Sequence, residues 1–244
     1  MNRALDAMTW PEAEIALTAT RPVILPLGST EQHGPHMSMG TDNVMASFWA
    51  RRLAESCDGL FLPTLNYGQV WSAREFPGTI SLSPAALEAV LVDVADSLHR
   101  HGVRRLVLLS GHMGNAQVMV SAARKLLELF PDMATVRICY PATKRVMDGI
   151  AETPLWDGNN FHAAEIETSL MLAVAPDACR MELAPSEYPQ VPPGYAGRVV
   201  PWREFSRTGV FGDASAATAE KGERLIARWL EVMTELVKEA FEAT

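Results

Sequence analysis

The alternation of short apolar runs with helical segments is the feature that most constrains how this chain can fold. Four runs are short and apolar, as buried strands are: 21–27, 60–65, 104–110 and 135–140. Five segments space their apolar residues at the period of a helix: 43–56, 84–101, 116–129, 162–175 and 215–241. Strands that alternate with helices form parallel sheets covered on both faces, so the sequence predicts an α/β fold.

The composition is that of one folded domain. The chain has 244 residues, of which 48% are hydrophobic and 20% charged, enough for a sizeable core. It has no internal repeat and no linker-like change in composition, so we predict a single domain over residues 1–244. Residues 181–205 are polar and proline-rich, and they could form a lid, an oligomer contact or a long connection.

Charge, apolar runs and cysteines restrict the partners and the location. The net charge of −8, without any run of lysine or arginine, disfavours binding to nucleic acid. No apolar run is long enough to span a bilayer, and the N-terminus lacks the apolar stretch of a signal peptide. Cys57, Cys139 and Cys179 are far apart, which suits a reducing compartment. We therefore expect a cytoplasmic protein without a membrane partner.

Polar side chains follow two of the predicted strands. The segment 26–42, PLGSTEQHGPHMSMGTD, carries two carboxylates and two imidazoles in a turn-rich stretch: Glu31, His33, His36 and Asp42. His112 follows the run 104–110, and His162 opens a predicted helix together with Glu165 and Glu167. Ligands of open α/β sheets bind beyond the carboxyl ends of the strands. Right-handed crossovers bring those ends to one edge, so these three segments can converge there.

Carboxylates and neutral imidazoles are ligands of Zn²⁺, Mn²⁺ and Fe²⁺. Glu31 and His33 are two residues apart, and in extended backbone they would project to the same side. The carboxylate of Asp42 has two oxygens and could bridge two ions. One ion would then take Glu31 and His112, and the other His33 and a glutamate. Such open coordination is typical of a catalytic rather than a structural site.

Simpler interpretations exist for parts of this pattern. A loop histidine is usually a surface or hydrogen-bonded residue, and GHMGN alone could be a turn in which Asn115 caps the next helix. His99 and His101 lie at a predicted helix end and are interpreted as structural. The sequence has no G-x-S-x-G motif of a serine hydrolase and no glycine-rich nucleotide motif, which disfavours both classes.

Five stretches together resemble the creatininase family of metal-dependent amidohydrolases: PLGSTEQHGPHMSMGTD, FPGTISL, SGHMGN, HAAEIETSLML and GVFGDASAATAEKGE. The resemblance implies a three-layer α/β/α domain with a mostly parallel sheet, and often a homo-oligomer such as a hexamer. It also implies two divalent metal ions per chain, Zn, Mn or Fe. By motif, Glu31, His33, Asp42 and His112 fall on metal ligands, with Asp42 as the bridge. His162 falls on a histidine that shuttles protons.

This chain departs from the resemblance at one ligand. Creatininase itself has a glutamate ligand two residues after the histidine of its glycine-histidine motif, and Gly114 stands there in this chain. Glu165 and Glu167 are the candidates to replace it, and on a helix they point about 200° apart, so only one can face the site. The local pattern does not choose between them, and the resemblance favours Glu167. The difference at Gly114 disfavours creatinine as the substrate.

The resemblance implies a binuclear metal hydrolase that cleaves the C–N bond of a cyclic amide, a formamide or a similar small molecule. His162 would give a proton to the leaving nitrogen, a task that needs a pKa near the operating pH. We expect substrate contacts from Trp71 and Ser72, in the long loop before residue 83, and from Trp156. Two alternatives stay open: a peptidase of the type that trims the mycofactocin precursor, and a metal-binding scaffold without turnover.

Overall fold

Four parallel strands form the centre of the computed structural model, which describes residues 3–156 and 161–242. In chain order they are β1 (Val23–Leu27), β2 (Leu60–Phe61), β3 (Arg105–Ser110) and β4 (Ala134–Ile138). Their order across the sheet is β2-β1-β3-β4, and β1 lies beside β3 from the pair Val23 and Leu106 to the pair Leu27 and Ser110. A separate antiparallel pair joins β5 (Ser186–Glu187) to β6 (Gly212–Asp213).

Seven α-helices accompany these strands in the described residues. They are α1 (Trp10–Ala16), α2 (Thr41–Ser56), α3 (Pro84–Arg100), α4 (Ala116–Leu129), α5 (Thr143–Met147), α6 (Glu165–Val174) and α7 (Ala219–Glu242). Pro84 begins α3, and the Ser83 hydroxyl accepts a hydrogen bond from the Ala86 amide, which caps the helix. No helix in the described part of the chain is long and apolar enough to cross a membrane.

The sheet separates two apolar cores. Val107 and Leu109 of β3 point into a core with residues of α2, α6 and α7, among them Trp49 and Trp229. Leu106 and Leu108 point to the other side, where α3 and α4 cover the sheet. Alternate residues of a strand face opposite sides of a sheet, so a run that is apolar throughout produces this arrangement. The predicted class, helices on both faces of a parallel sheet, is confirmed.

Three element boundaries differ from the prediction. The strand predicted over 60–65 ends at Phe61, two residues before Pro63, although the Leu65 amide still bonds to the β1 carbonyl of Pro26. The helix predicted from residue 162 begins at Glu165, because the backbone of Ala163 is left-handed, with φ of 54°. The last helix begins at Ala219 rather than at residue 215.

The close contact of α6 with α7 explains part of the stretch GVFGDASAATAEKGE. A β-carbon added to Gly222 of α7 would lie 2.0 Å from the Ser169 carbonyl oxygen of α6, so only glycine allows this approach. Beside it, Lys221 Nζ lies 2.7 Å from Glu165 Oε1 and 2.9 Å from Glu152 Oε2. These contacts fix the N-terminal end of α6, where the polar residues predicted for the site begin.

Candidate metal centre

The loops after β1 and β3 and the first turns of two helices meet at one edge of the sheet. The Gly111 amide donates to the Leu27 carbonyl at 2.9 Å, which holds the two strand ends side by side. Five side chains converge there, each at most 8% exposed: Glu31, His33, Asp42, His112 and Glu167. We call these five residues the acid–histidine cluster. Their convergence at the carboxyl ends of the strands follows from the parallel topology.

The cluster consists of two groups of three that share Asp42. Glu31, Asp42 and His112 form one group, and His33, Asp42 and Glu167 form the other, with possible ligand atoms within 4.8 Å of one another in each. His112 Nδ1 lies 2.9 Å from Glu31 Oε2 and 3.1 Å from Asp42 Oδ2. His33 Nε2 lies 3.3 Å from Asp42 Oδ1 and 3.7 Å from Glu167 Oε2. The two oxygens of Asp42 therefore face different histidines.

While the two imidazoles are neutral, two atoms of the cluster are buried without a hydrogen-bond partner among the described residues, namely Glu31 Oε2 and His33 Nε2. The outer nitrogen of each imidazole, in contrast, has a partner. His112 Nε2–H donates to the Gln69 carbonyl at 2.9 Å, and His33 Nδ1–H donates to the Glu31 carbonyl at 3.2 Å. These bonds leave the inner nitrogens with free lone pairs, the form in which imidazole binds a metal. Because buried unpaired polar atoms are costly, the donor set fits divalent cations.

Protons are the alternative cations for this cluster, and they bind it strongly. Burial lowers the pKa of His33, but the carboxylates of Asp42, Glu167 and Glu31 outweigh it and raise the pKa to about 10. Burial also lowers the pKa of His112, but the carboxylates of Glu31 and Asp42 outweigh burial and raise this pKa well above its usual value. Burial raises the pKa of Glu167 to about 7, against the lowering effect of His33. The cluster therefore favours bound positive charge, as proton or as metal.

The structure places Glu167 in the cluster and Glu165 outside it. Glu165 Oε2 accepts from the Thr153 amide at 2.8 Å, and Glu165 Oε1 lies 2.7 Å from Lys221 Nζ, so its carboxylate is already paired. Glu167 Oε2 accepts from the Ala163 amide at 2.6 Å and faces His33. The two glutamates thus point in different directions from α6, as the helical geometry requires.

His162 lies beside the cluster and is held by Gln32. His162 Nε2 is 3.0 Å from the Gln32 carbonyl oxygen and 2.9 Å from the Gln32 side-chain nitrogen, while Nδ1 is 3.8 Å from Glu167 Oε2. Burial lowers the pKa of His162 to about 4, although Glu31 acts in the opposite direction. Burial thus moves the pKa of His162 below the value near neutrality that the sequence analysis expected for a proton-transfer group.

His36, the other imidazole of the first loop, does not join either group. Its Nε2 lies 2.9 Å from the Thr168 hydroxyl of α6, and the side chain is buried. Burial and the neighbouring His33 lower the pKa of His36 to about 4, so it is neutral at physiological pH. It connects the loop after β1 to α6 from behind the cluster. The sequence pattern alone did not separate this packing role from that of His33.

A cavity of about 260 Å³ opens onto the cluster and onto His162. The predicted contacts Trp71 and Ser72 line it, as do Met113 and Gly114. Trp202 also lines it, placed by a hydrogen bond of 2.8 Å from its amide to the Ser72 carbonyl. No motif indicated Trp202, which lies in the proline-rich stretch 181–205. One end of that stretch therefore reaches the cavity wall.

The prediction that Trp156 contacts the substrate is not supported by its position, because Trp156 is not among the residues that line the cavity. Its Nε1–H donates to the Pro189 carbonyl at 2.8 Å. Its ring packs against Phe211, with centroids 4.7 Å apart, and stacks on Phe205 at 6.1 Å. Trp156 therefore supports the segments behind the cavity. Its large apolar ring finds partners distant in sequence that the local pattern does not reveal.

Comparison with known proteins gives consistent matches over almost the whole chain. The creatininase family model, described as creatinine amidohydrolase, matches residues 6–237. Creatinine amidohydrolase of Pseudomonas putida is 31% identical over 262 residues, covering 97% of this chain and 96% of that protein. Mycofactocin precursor peptide peptidase of Mycolicibacterium smegmatis is 30% identical over 230 residues, covering 88% of this chain and 84% of that protein. A solved creatininase variant described as Zn-Zn type superposes with a TM-score of 0.90, at 29% identity and 99% coverage of both chains.

Binding of a divalent metal should release protons from this cluster. With a pKa of about 10, His33 carries a proton at pH 7 when no metal is bound, and His112 does too. An imidazole binds a metal only in its neutral form, so Zn²⁺ should displace about one proton from each imidazole, and the apparent affinity should rise with pH toward about 10. Calorimetric titration at pH 7 in buffers of different ionisation enthalpy measures the number. His33→Gln should release fewer protons, His99→Gln the same number as wild type, and binding without proton release would contradict the assignment.

Proposed function

The chain belongs to the creatininase family, and from that membership and the cavity we propose that it is a metal-dependent amidohydrolase that cleaves a C–N bond in a small cyclic amide, formamide or similar molecule. The observation that carries this proposal is the sharing of Asp42 between two buried groups of acidic and imidazole ligands. A site with separate halves around one carboxylate suits two ions that act on one substrate. Assembly as a homo-oligomer and a cytoplasmic location belong to the same proposal.

Glu31, Asp42 and His112 would hold one divalent ion, and His33, Asp42 and Glu167 would hold a second. Mixed carboxylate and imidazole donors suit Zn²⁺, Mn²⁺ or Fe²⁺, and the similarity to a Zn-Zn creatininase form supports two metals. When bound, such ions polarise a substrate carbonyl and lower the pKa of water, which is the chemistry that amide hydrolysis requires. Gly114 has no side chain that could bind a metal, and Glu167 would supply the carboxylate that is missing at position 114.

His162 would carry the proton from the attacking water to the leaving nitrogen. With a pKa of about 4 it is neutral at pH 7, so it begins as a base and becomes an acid only after it has accepted that proton. Gln32 serves both forms: its carbonyl accepts from Nε2–H, and its side-chain amide can donate to a bare Nε2. The carboxylates of Glu31 and Glu167, 4.0 Å and 3.8 Å away, favour the protonated form while it exists.

The cavity sets the size of the substrate. About 260 Å³ between Trp71, Trp202 and the cluster accommodates a small molecule, and aromatic walls favour a flat amide or ureide.

The second candidate is a peptidase that removes a short segment, and the similarity to the mycofactocin precursor peptide peptidase supports it. Only the scissile end of a peptide would enter a cavity of this volume.

Hydrolysis assays with a panel of N-formyl compounds, cyclic ureides and short peptides test the proposed function. We expect the metal-loaded protein to turn over a formamide or a cyclic ureide, to lose activity after chelation and to regain it with added metal. Turnover of peptides alone would establish the second candidate. Full metal content without turnover of any compound would favour a non-catalytic scaffold.

Substitution of the two glutamates of α6 separates their roles. Glu167→Gln should weaken one ion far more than the other, because the neutral amide is a poorer ligand for a divalent metal. Glu165→Gln is the matched control: it should retain both ions and instead lower the free energy of unfolding by about 1–3 kcal/mol, since Lys221 loses its buried charged partner. Elemental analysis and denaturant unfolding measure both effects. The opposite pattern would assign the ligand to Glu165.

His162→Asn tests the proton transfer. Metal content and melting temperature should stay close to wild type, since His162 is not one of the five proposed ligand residues, while turnover should fall by about 10²–10⁴. A purely structural role would instead lower stability by about 1–3 kcal/mol without a specific loss of turnover. Glu31, His33 and His162 also form a group that could hold a metal ion. Loss of one ion in His162→Asn would therefore show that His162 is a ligand. A rate within a few-fold of wild type would disprove its role in proton transfer.

A further inference from the structure

A cavity lined by four arginines lies at the opposite end of the central sheet from the acid–histidine cluster. Its volume is about 800 Å³, and it opens where β3 and β4 begin, whereas the cluster lies where β1 and β3 end. The arginines are Arg104, Arg105, Arg124 and Arg137, and Asp132 is the one carboxylate among the described residues that line it. We call it the arginine cavity. It shares no residue with the proposed active site.

Two of the arginines are fixed and form a rigid cationic wall. Arg104 Nε lies 2.6 Å from Asp132 Oδ2, and the guanidinium also donates to the His99 and Val103 carbonyls. Arg105 donates to the Thr20 carbonyl at 2.9 Å and to a second backbone carbonyl on α7. Asp132 is already engaged by Arg104 and, at 2.8 Å, by His99. Asp132, the one carboxylate that lines the cavity in the described part of the chain, forms no ion pair with Arg124 or Arg137.

Arg124 and Arg137 are exposed and make no ion pair with any described residue. Glu128, four residues after Arg124 on α4, is placed for such a pair but does not form one. Arg137 of β4 lies beside Leu108 of β3, and the side chain of Leu108 faces α3 and α4. Neighbouring residues of paired strands face the same side, so Arg137 lies on the side of the sheet that carries α4 and Arg124. On that face the hydroxyl of Thr135 is buried without a hydrogen-bond partner.

Four arginines and one aspartate give this cavity a local charge of 4 − 1 = +3, in a chain whose net charge is −8. Like charges that line one cavity repel one another, and a multiply charged anion offsets that repulsion. Guanidinium groups bind phosphate through paired hydrogen bonds, and a diphosphate offers oxygens to several of them at once. Val120, Ala123 and Leu127 add an apolar strip beside the arginines, and Leu127 is 65% exposed.

We propose that the arginine cavity binds a diphosphate group, either free or as part of a nucleotide. Arg104 and Arg105 would supply a fixed positive field, and Arg124 and Arg137 would close on the anion with their free guanidinium groups. A nucleotide would in addition cover the apolar strip with its base or sugar. This site does not depend on the proposed hydrolysis, and each can fail without the other.

Calorimetric titration of inorganic pyrophosphate, and separately of ADP, into the full metal-loaded chain tests the proposal. We expect one bound pyrophosphate per chain and a rise in Kd of at least about tenfold in the double variant Arg124→Gln/Arg137→Gln. Arg145→Gln, an exposed arginine outside this cavity, is the matched control and should bind as wild type does. Metal content and melting temperature, measured for every variant, exclude metal extraction and misfolding as the cause.

The two probes distinguish the source of the diphosphate. Tighter binding of ADP than of pyrophosphate would indicate a nucleotide that uses the apolar strip, and equal or weaker binding would indicate the free anion. Absence of pyrophosphate and ADP binding at millimolar concentration would overturn the proposal. Equal affinity of both probes for the wild type and the double arginine variant would overturn it as well.

Discussion

The two oxygens of Asp42, each facing a different histidine, are the constraint on which the site depends. Ser29 donates to Asp42 Oδ2 at 2.5 Å, and the carboxylate lies in the first turn of α2, where the positive end of the helix favours a negative charge. Burying three carboxylates and two imidazoles together is costly unless cations balance them. Such a concentration of buried ionisable groups at one edge of the sheet is typical of a functional site and does not serve to stabilise the fold.

The scaffold fixes this cluster from two directions. A β-carbon on Gly111 would lie 2.5 Å from the Asp42 carbonyl oxygen, so the turn after β3 can approach α2 only with glycine there. The turn thereby sets His112 against Asp42. On the other side, the pairing of Lys221 with Glu165 holds the first turn of α6, and Glu167 points inward because Glu165 is held outward. Lys221, which lies outside the cluster, thus helps to set which glutamate of α6 faces the cluster.

The sequence predicted those features that short-range patterns determine. Apolar periodicity located the parallel strands and the helices around them, and the position of polar residues after strand ends brought Glu31, Asp42 and His112 together. The choice between Glu165 and Glu167 depended on Lys221, more than fifty residues away in the chain. The packing of Trp156 and the place of Trp202 on the cavity wall likewise depend on tertiary contacts. The low pKa of His162 follows from burial, which no local pattern specifies.

Metal stoichiometry of Asp42→Ala tests the central claim most directly, because one side chain is proposed to serve two ions. Elemental analysis of the fully loaded wild type should give about two divalent ions per chain, and the variant should lose both while its circular dichroism stays that of a folded protein. His36→Gln, which removes a buried imidazole outside both ligand groups, should keep the wild-type content. An Asp42→Ala protein that still binds two ions with wild-type affinity would contradict the shared ligand and the account built on it.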